Sequence, residues 1–197
     1  MIGDSGVGKT QFYNQWMYGT SKGTTTTIGF DFGAKSYKID SQFVNIQFWD
    51  TAGQERYRAL ARQYYRGSHG AVLMYSVIDK DSFDNVKFWI ETVKEFVLPG
   101  CCFFLIGNKI DLNQKRMVST EEGLRFAKSL GIYFLETSAE FGNNCNKAVQ
   151  LFLQDIYEKN RNPTPIIQPP TTDTNATTNQ ETTNVPSLAS TTKIKSE

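Results

Sequence analysis

Gly3-Asp4-Ser5-Gly6-Val7-Gly8-Lys9-Thr10 conforms to G-x-x-x-x-G-K-[ST], a spacing suited to holding phosphate. The glycines let the main chain curl so that successive N–H groups face inward at phosphate oxygens. A helix opening near Lys9 adds its positive end. Lys9 supplies a full charge to the outer phosphates, and the Thr10 hydroxyl is a ligand for Mg²⁺. Such a string also arises as a Gly-rich turn, and by itself it does not choose between ATP and GTP.

Asn108-Lys109-Ile110-Asp111 follows the apolar run Cys102–Ile106 and Gly107. A carboxylate at that place can accept from both N1–H and the exocyclic amine of guanine, a donor pair adenine lacks. Asp111 is therefore the candidate for base specificity; an isolated N-K-x-D is otherwise a common polar loop. Glu136-Thr137-Ser138-Ala139 ends the next apolar run, where small residues let main-chain N–H groups approach the guanine carbonyl. Ligands of open α/β sheets bind outside the carboxyl ends of the strands.

Trp49-Asp50-Thr51-Ala52-Gly53-Gln54-Glu55 ends a further strand-like run. Asp50 is placed to hold a Mg²⁺-bound water. Gly53 can offer its N–H to the terminal phosphate, and Gln54 can orient the attacking water. Within Thr24–Thr27, Thr27 is the best placed to complete the metal shell when a third phosphate is present. Loss of that phosphate would free the loop, an order–disorder switch. A four-threonine run read without the flanking Ile28-Gly29-Phe30-Asp31-Phe32 would equally be an exposed linker.

These groups need strands and helices to hold them. Phe30–Ile39 and Phe43–Trp49 are rich in β-branched and aromatic residues and flank the turn Ile39-Asp40-Ser41-Gln42, which predicts a hairpin. Ala71–Val77, Cys102–Ile106 and the shorter Tyr133–Leu135 suit parallel strands covered on both faces. Val86, Ile90, Val93 and Val97 recur at helical spacing after a cap at Asp81 or Ser82. Ser119 and Glu122 have capping-box spacing at the start of a second helix. Val149, Phe152, Leu153 and Ile156 share one face of a third. The alternation predicts an α/β sandwich around a mostly parallel sheet.

The chain has 197 residues and a formal net charge of +1, so no global field draws it to nucleic acid or an anionic membrane. No run reaches the length of a membrane span, and MIGDSGVGKT is not a secretory signal. Three cysteines, two of them adjacent, fit free thiols in a reducing compartment. His69 reads as structural. From Pro163 to Glu197 the chain has ten Thr, five of the six Pro and neither Gly nor aromatics. That composition predicts a disordered tail after a domain over residues 1–162.

GDSGVGKT, TIGFDF, WDTAGQER, YYRGSHG, GNKIDL and ETSA occur in order, and together they resemble a Ras-superfamily GTPase of the Rab branch across nearly all of residues 2–160. The resemblance implies a P-loop NTPase fold, with a mostly parallel sheet, one antiparallel strand and helices on both faces. It implies a cytoplasmic switch in membrane traffic, using GTP/GDP and Mg²⁺ and acting as a monomer. Metal contacts fall to Thr10, Thr27 and Asp50. Nucleotide contacts fall to residues 3–10, Thr27, Asp50, Thr51, Ala52, Gly53, Gln54, Asn108, Lys109, Asp111, Ser138 and Ala139. Gln54, Lys9 and Thr27 are implied in hydrolysis. Exchange factors, activating proteins and effectors would read Ile28, Gly29, Phe30, Asp31, Phe32, Trp49 and Tyr64; Phe32, Trp49 and Tyr64 match an aromatic effector patch, with ordinary core packing as the other reading.

Five departures qualify the resemblance. Only Met1 and Ile2 stand before the phosphate loop, so the strand leading into it is truncated; a gap in the core and unpaired strand edges are expected, pointing to a missing N-terminal segment. The terminus KIKSE has no cysteine to prenylate, so stable anchoring at the cytosolic face of endomembranes is not expected. No aromatic falls where the family packs one on guanine, leaving Tyr18 as a substitute. Glu140 stands where a lysine is usual, a reversal expected to loosen guanine binding. Ser76 stands where Asp is frequent. The competing readings are a nucleotide-binding module without turnover, a truncated non-functional product and, more remotely, a P-loop ATPase or kinase.

Overall fold

The computed structural model describes residues 1–21, 30–39, 41–51 and 65–161. The elements run α1 (Lys9–Tyr18), β1 (Phe30–Ile39), β2 (Gln42–Thr51), β3 (Gly70–Ser76), α2 (Lys80–Asp84), α3 (Val86–Lys94), β4 (Cys102–Asn108), a 3₁₀ segment (Ile110–Lys115), α4 (Thr120–Leu130), β5 (Tyr133–Thr137) and α5 (Cys145–Arg161). The predicted tail lies outside the described residues.

β3, β4 and β5 form a parallel sheet in that order, and β1 and β2 an antiparallel hairpin. Alternation along the parallel strands divides the core. Val72, Met74, Phe104 and Ile106 face α1 and α5, with Phe48 of the hairpin in the same cluster. Leu73, Tyr75 and Leu105 face the other way, among Phe83, Val86, Trp89 and Ala127 of α2, α3 and α4. Helices therefore cover both faces, as expected for this class.

The expected single sheet is not continuous among the described residues. Between its two parts lie the first residues of the chain, which bond to both. The Ile2 N–H donates to Val72 O, and Ile2 O accepts from the Met74 N–H, both at 2.9 Å. This makes one isolated parallel bridge, Ile2 to Leu73. The Thr51 hydroxyl donates to Met1 O at 2.7 Å. Beside this bridge is a cavity of about 720 Å³ lined by Ile2, Ile46, Phe48, Val72 and Leu153.

Most boundaries agree with the sequence pattern, with three informative shifts. β4 and β5 each run two residues further than their apolar runs, because Asn108 and Thr137 are fully buried while hydrogen-bonding each other. The helix expected from a cap at Asp81 or Ser82 is capped by Asp79, whose carboxylate accepts from the Ser82 N–H at 3.2 Å. It is divided at Asn85, and Val97 lies beyond the end of α3. Ser82 instead turns inward, donating to Asp79 O and accepting from the Ser76 N–H. At α4 the expected capping box is complete: Ser119 Oγ accepts from the Glu122 N–H, and the Glu122 carboxylate from the Ser119 N–H.

Candidate functional site

The phosphate loop joins Ile2 to α1 and lies against the carboxyl ends of β3 and β4. Two of its glycines are required by close approach. Gly3, at φ 147°, would place a Cβ 2.1 Å from Met74 O, and Gly8, at φ 98°, would place one 2.4 Å from Asn108 Nδ2. Ser5 and Gly6 are exposed at the crest, and Val7 is fully buried.

Lys9 opens α1 and is buried, its Nζ donating to Gly3 O (2.9 Å) and Asp4 O (2.7 Å). Burial pushes its ammonium down to about 8, against the opposing attraction of Asp50 and Asp4. Thr10 Oγ1 donates to Asp50 Oδ2 at 2.5 Å. Asp50 is fully buried, and its Oδ1 has no partner among the described residues. Burial raises its carboxyl above the usual range, while the Thr10 hydroxyl and the Lys9 ammonium pull the other way. A carboxylate oxygen unpaired inside a protein is costly, so this one is poised for a cationic or hydrogen-bonding ligand.

Asp4 points its side chain away from the loop. Its carboxylate accepts from Asn85 Nδ2 and Trp89 Nε1, both at 2.7 Å, tying the loop to α3. Thr51 likewise turns from the site, towards Met1 O.

Asn108 joins the two halves of the site. It is fully buried, donating from Nδ2 to Val7 O (2.9 Å) and accepting at Oδ1 from Thr137 Oγ1 (3.1 Å) and the Ala139 N–H (3.0 Å). One side chain thus fixes the phosphate loop, β5 and the loop after β5 together. Lys109 follows in the left-handed region at φ 70°. Asp111 is exposed and is oriented by Ser138 Oγ, which donates to its Oδ1 at 2.6 Å. The N–H groups of Ser138 and Ala139, expected to face a guanine carbonyl, are engaged by Asn143 O and Asn108 Oδ1. Glu136 is fixed by a paired contact with Arg116, at 2.7 and 3.2 Å.

The structure therefore brings Gly3–Thr10, Asp50, Asn108, Lys109, Asp111, Ser138 and Ala139 together at the carboxyl edge of the parallel strands. Thr27, Ile28, Gly29, Ala52, Gly53, Gln54 and Tyr64 lie outside the described residues. Phe30 pairs with Thr51, and Phe32 with Trp49, across the hairpin. The Phe32 and Trp49 rings meet at 4.6 Å; Phe32 is exposed and Trp49 half-buried. Tyr18 is exposed with its ring edge-on to Tyr13. Ser76 is buried, its hydroxyl without a partner among the described residues, and His69 is exposed. Asn85, Trp89, Thr137 and Arg116 were missed by sequence reasoning. Their partners are 20 to 85 residues away, and no local spacing marks such pairs.

Comparison with known proteins supplies the family. The model of the Ras family matches residues 1–158. Ras-related protein Rab-11C of Dictyostelium discoideum is 44% identical over 158 residues, covering 80% of this chain and 70% of the relative. GTP-binding protein ypt1 of Schizosaccharomyces pombe is 40% identical over 165 residues, covering 83% and 81%. Ras-related protein Rab-8B of Pongo abelii is 41% identical over 160 residues, covering 81% and 77%. A match of this extent places the chain in the Ras family, in its Rab branch: it is a small GTPase that binds guanine nucleotide and hydrolyses GTP, and the typical role of such proteins is in vesicle traffic.

Proposed function

We propose that the cluster at the carboxyl edge of β3, β4 and β5 is the nucleotide site of this GTPase, within a switch domain of residues 1–162 followed by a tail over 163–197. The observation that carries this reading is the Asn108 cross-link, which holds the phosphate loop and the base loop in one frame. In this reading the main-chain amides of Gly3–Gly8 cradle the phosphates, and Lys9 exchanges its two carbonyl partners for phosphate oxygens of much greater charge. Asp111, oriented by Ser138, accepts from the two guanine donors.

The donor set suits a magnesium ion. A buried carboxylate with an oxygen unpartnered among the described residues sits beside a threonine hydroxyl, and Mg²⁺ is commonly held by one or two protein oxygens together with substrate phosphates and water. Thr10 and Asp50 would hold it, with Thr27 joining them. When bound it neutralises charge developing on the phosphate oxygens. Gln54 orients the attacking water and acts through position, since an amide is no base. Intrinsic turnover is expected to be slow, and an arginine supplied by a partner would add roughly 10³–10⁵-fold.

Family membership brings exchange factors, activating proteins and effectors as partners. We assign their contact to Ile28–Phe32, Trp49 and Tyr64, with the Phe32–Trp49 ring pair as the anchor, on a monomeric protein acting in the cytoplasm or peripherally on endomembranes. Among the described residues no helix is long and apolar enough to cross a membrane.

Asp111→Asn tests the base site. The variant should lose affinity for GDP and gain affinity for xanthosine diphosphate, measured by competition against a fluorescent nucleotide. An unchanged preference for guanine would refute the assignment.

A further inference from the structure

The loop after β5 is fastened to α1 by contacts that neither the phosphate cradle nor the base carboxylate uses. Gln11 Nε2 donates a hydrogen bond to the Glu140 carboxylate. Ser21 Oγ, just past the end of α1, donates to Glu140 O at 3.1 Å. Gln15 lies over Gly142 so closely that a Cβ there would stand 2.4 Å from Gln15 Nε2. Gln11 and Gln15 are four residues apart, on one face of α1. That helix begins with Lys9 and Thr10, while Glu140 directly follows Ser138 and Ala139. The Glu140 main-chain N–H makes no hydrogen bond with the described residues, unlike those of Ser138 and Ala139.

We propose that Glu140 is a positioning residue for the base. Clasped by Gln11 and Ser21, it holds the loop 138–142 against the helix that carries the phosphate contacts, and guanine nucleotide leaves faster when the clasp is cut. The acidic side chain expected to loosen guanine binding is thereby a fastening point, because its charge meets an amide donor instead of the base. This rests on the base site proposed above.

The test is dissociation of preloaded fluorescent GDP from the full chain under excess GDP. Glu140→Ala and Gln11→Ala should each speed release about fivefold, the scale of one net hydrogen bond. The double variant should be no faster than the faster single one, because both remove the same contact. Glu140→Gln keeps an acceptor oxygen for Gln11 and should stay within about twofold of the parent. Additive effects in the double variant, slower release from Glu140→Ala, or Glu140→Gln behaving like Glu140→Ala would each overturn the proposal. Should a Glu140 variant fail to fold, Gln11→Ala carries the test, with unchanged release as the refuting result. Asp111→Asn separates the two readings. If it leaves guanine preference unchanged, the base site itself is wrong; if it shifts preference while the clasp variants release normally, only the clasp is wrong.

Discussion

Asn108→Ala is the substitution expected to cost this protein most for its size. It removes one donor and one doubly used acceptor from a fully buried position, leaving Val7 O, the Thr137 hydroxyl and the Ala139 N–H without their partner. Each orphaned buried group costs about 1–3 kcal/mol. The Thr137 hydroxyl can rotate to another acceptor, and a water can enter the space vacated by the amide. The net loss should therefore be about 3 kcal/mol. Urea unfolding at saturating GDP and Mg²⁺ would read it as a lower midpoint at constant slope. If the same cross-link holds the two loops around the nucleotide, GDP release should quicken by about a hundredfold, the kinetic equivalent of that energy.

Asn108→Asp sharpens the test. It retains the acceptor for Thr137 and Ala139 but sets an anionic oxygen against Val7 O. Burial raises such a carboxyl above its unfolded value, so the protonated acid, which can donate to Val7 O, is the stable form. The sign follows: its stability should be greatest in acid and fall as pH rises through the raised folded value. Loss of less than about 0.5 kcal/mol in Asn108→Ala, with release changed less than threefold, would refute the cross-link argument.

Three further outcomes follow from the same structure. Gly8→Ala combines a left-handed backbone with a Cβ 2.4 Å from Asn108 Nδ2, so it should destabilise by about 1–3 kcal/mol and weaken GDP binding; wild-type melting and affinity would contradict this. The thiols of Cys101, Cys102 and Cys145 are pushed up by burial to about 12, 11 and 12. At pH 8 their thiolate fraction is on the order of 10⁻³ or less, so a disulfide reagent should react slowly with folded protein, faster as pH rises, and promptly with all three thiols in denaturant; a fast equivalent from the folded chain would count against it. Ser119→Ala opens the capping box of α4 and should lower stability by about 1 kcal/mol in urea, whereas no change would mean that water replaces the cap.

What the sequence determined by itself is whatever depends on neighbours along the chain. The phosphate loop is legible because curling a backbone around an anion needs glycines and a lysine within eight residues. The capping box of α4 and the hairpin are legible because hydrogen bonding and alternation are local. Asp111 and Ser138 are legible as ends of apolar runs, though not their contact with each other. Only the tertiary structure decided the rest. Asp4 looks like a loop ligand until Asn85 and Trp89 are seen to claim its carboxylate. Asn108 looks like part of a base motif, yet its side chain is consumed in holding two loops together. Ser138 and Ala139 were expected to offer N–H groups that the fold has already spent. Glu140 carries the wrong sign for its neighbourhood until Gln11 is placed against it. In each case a polar group's role is set by the partner that reaches it across the fold, and burial compels such a partner without the local sequence naming it.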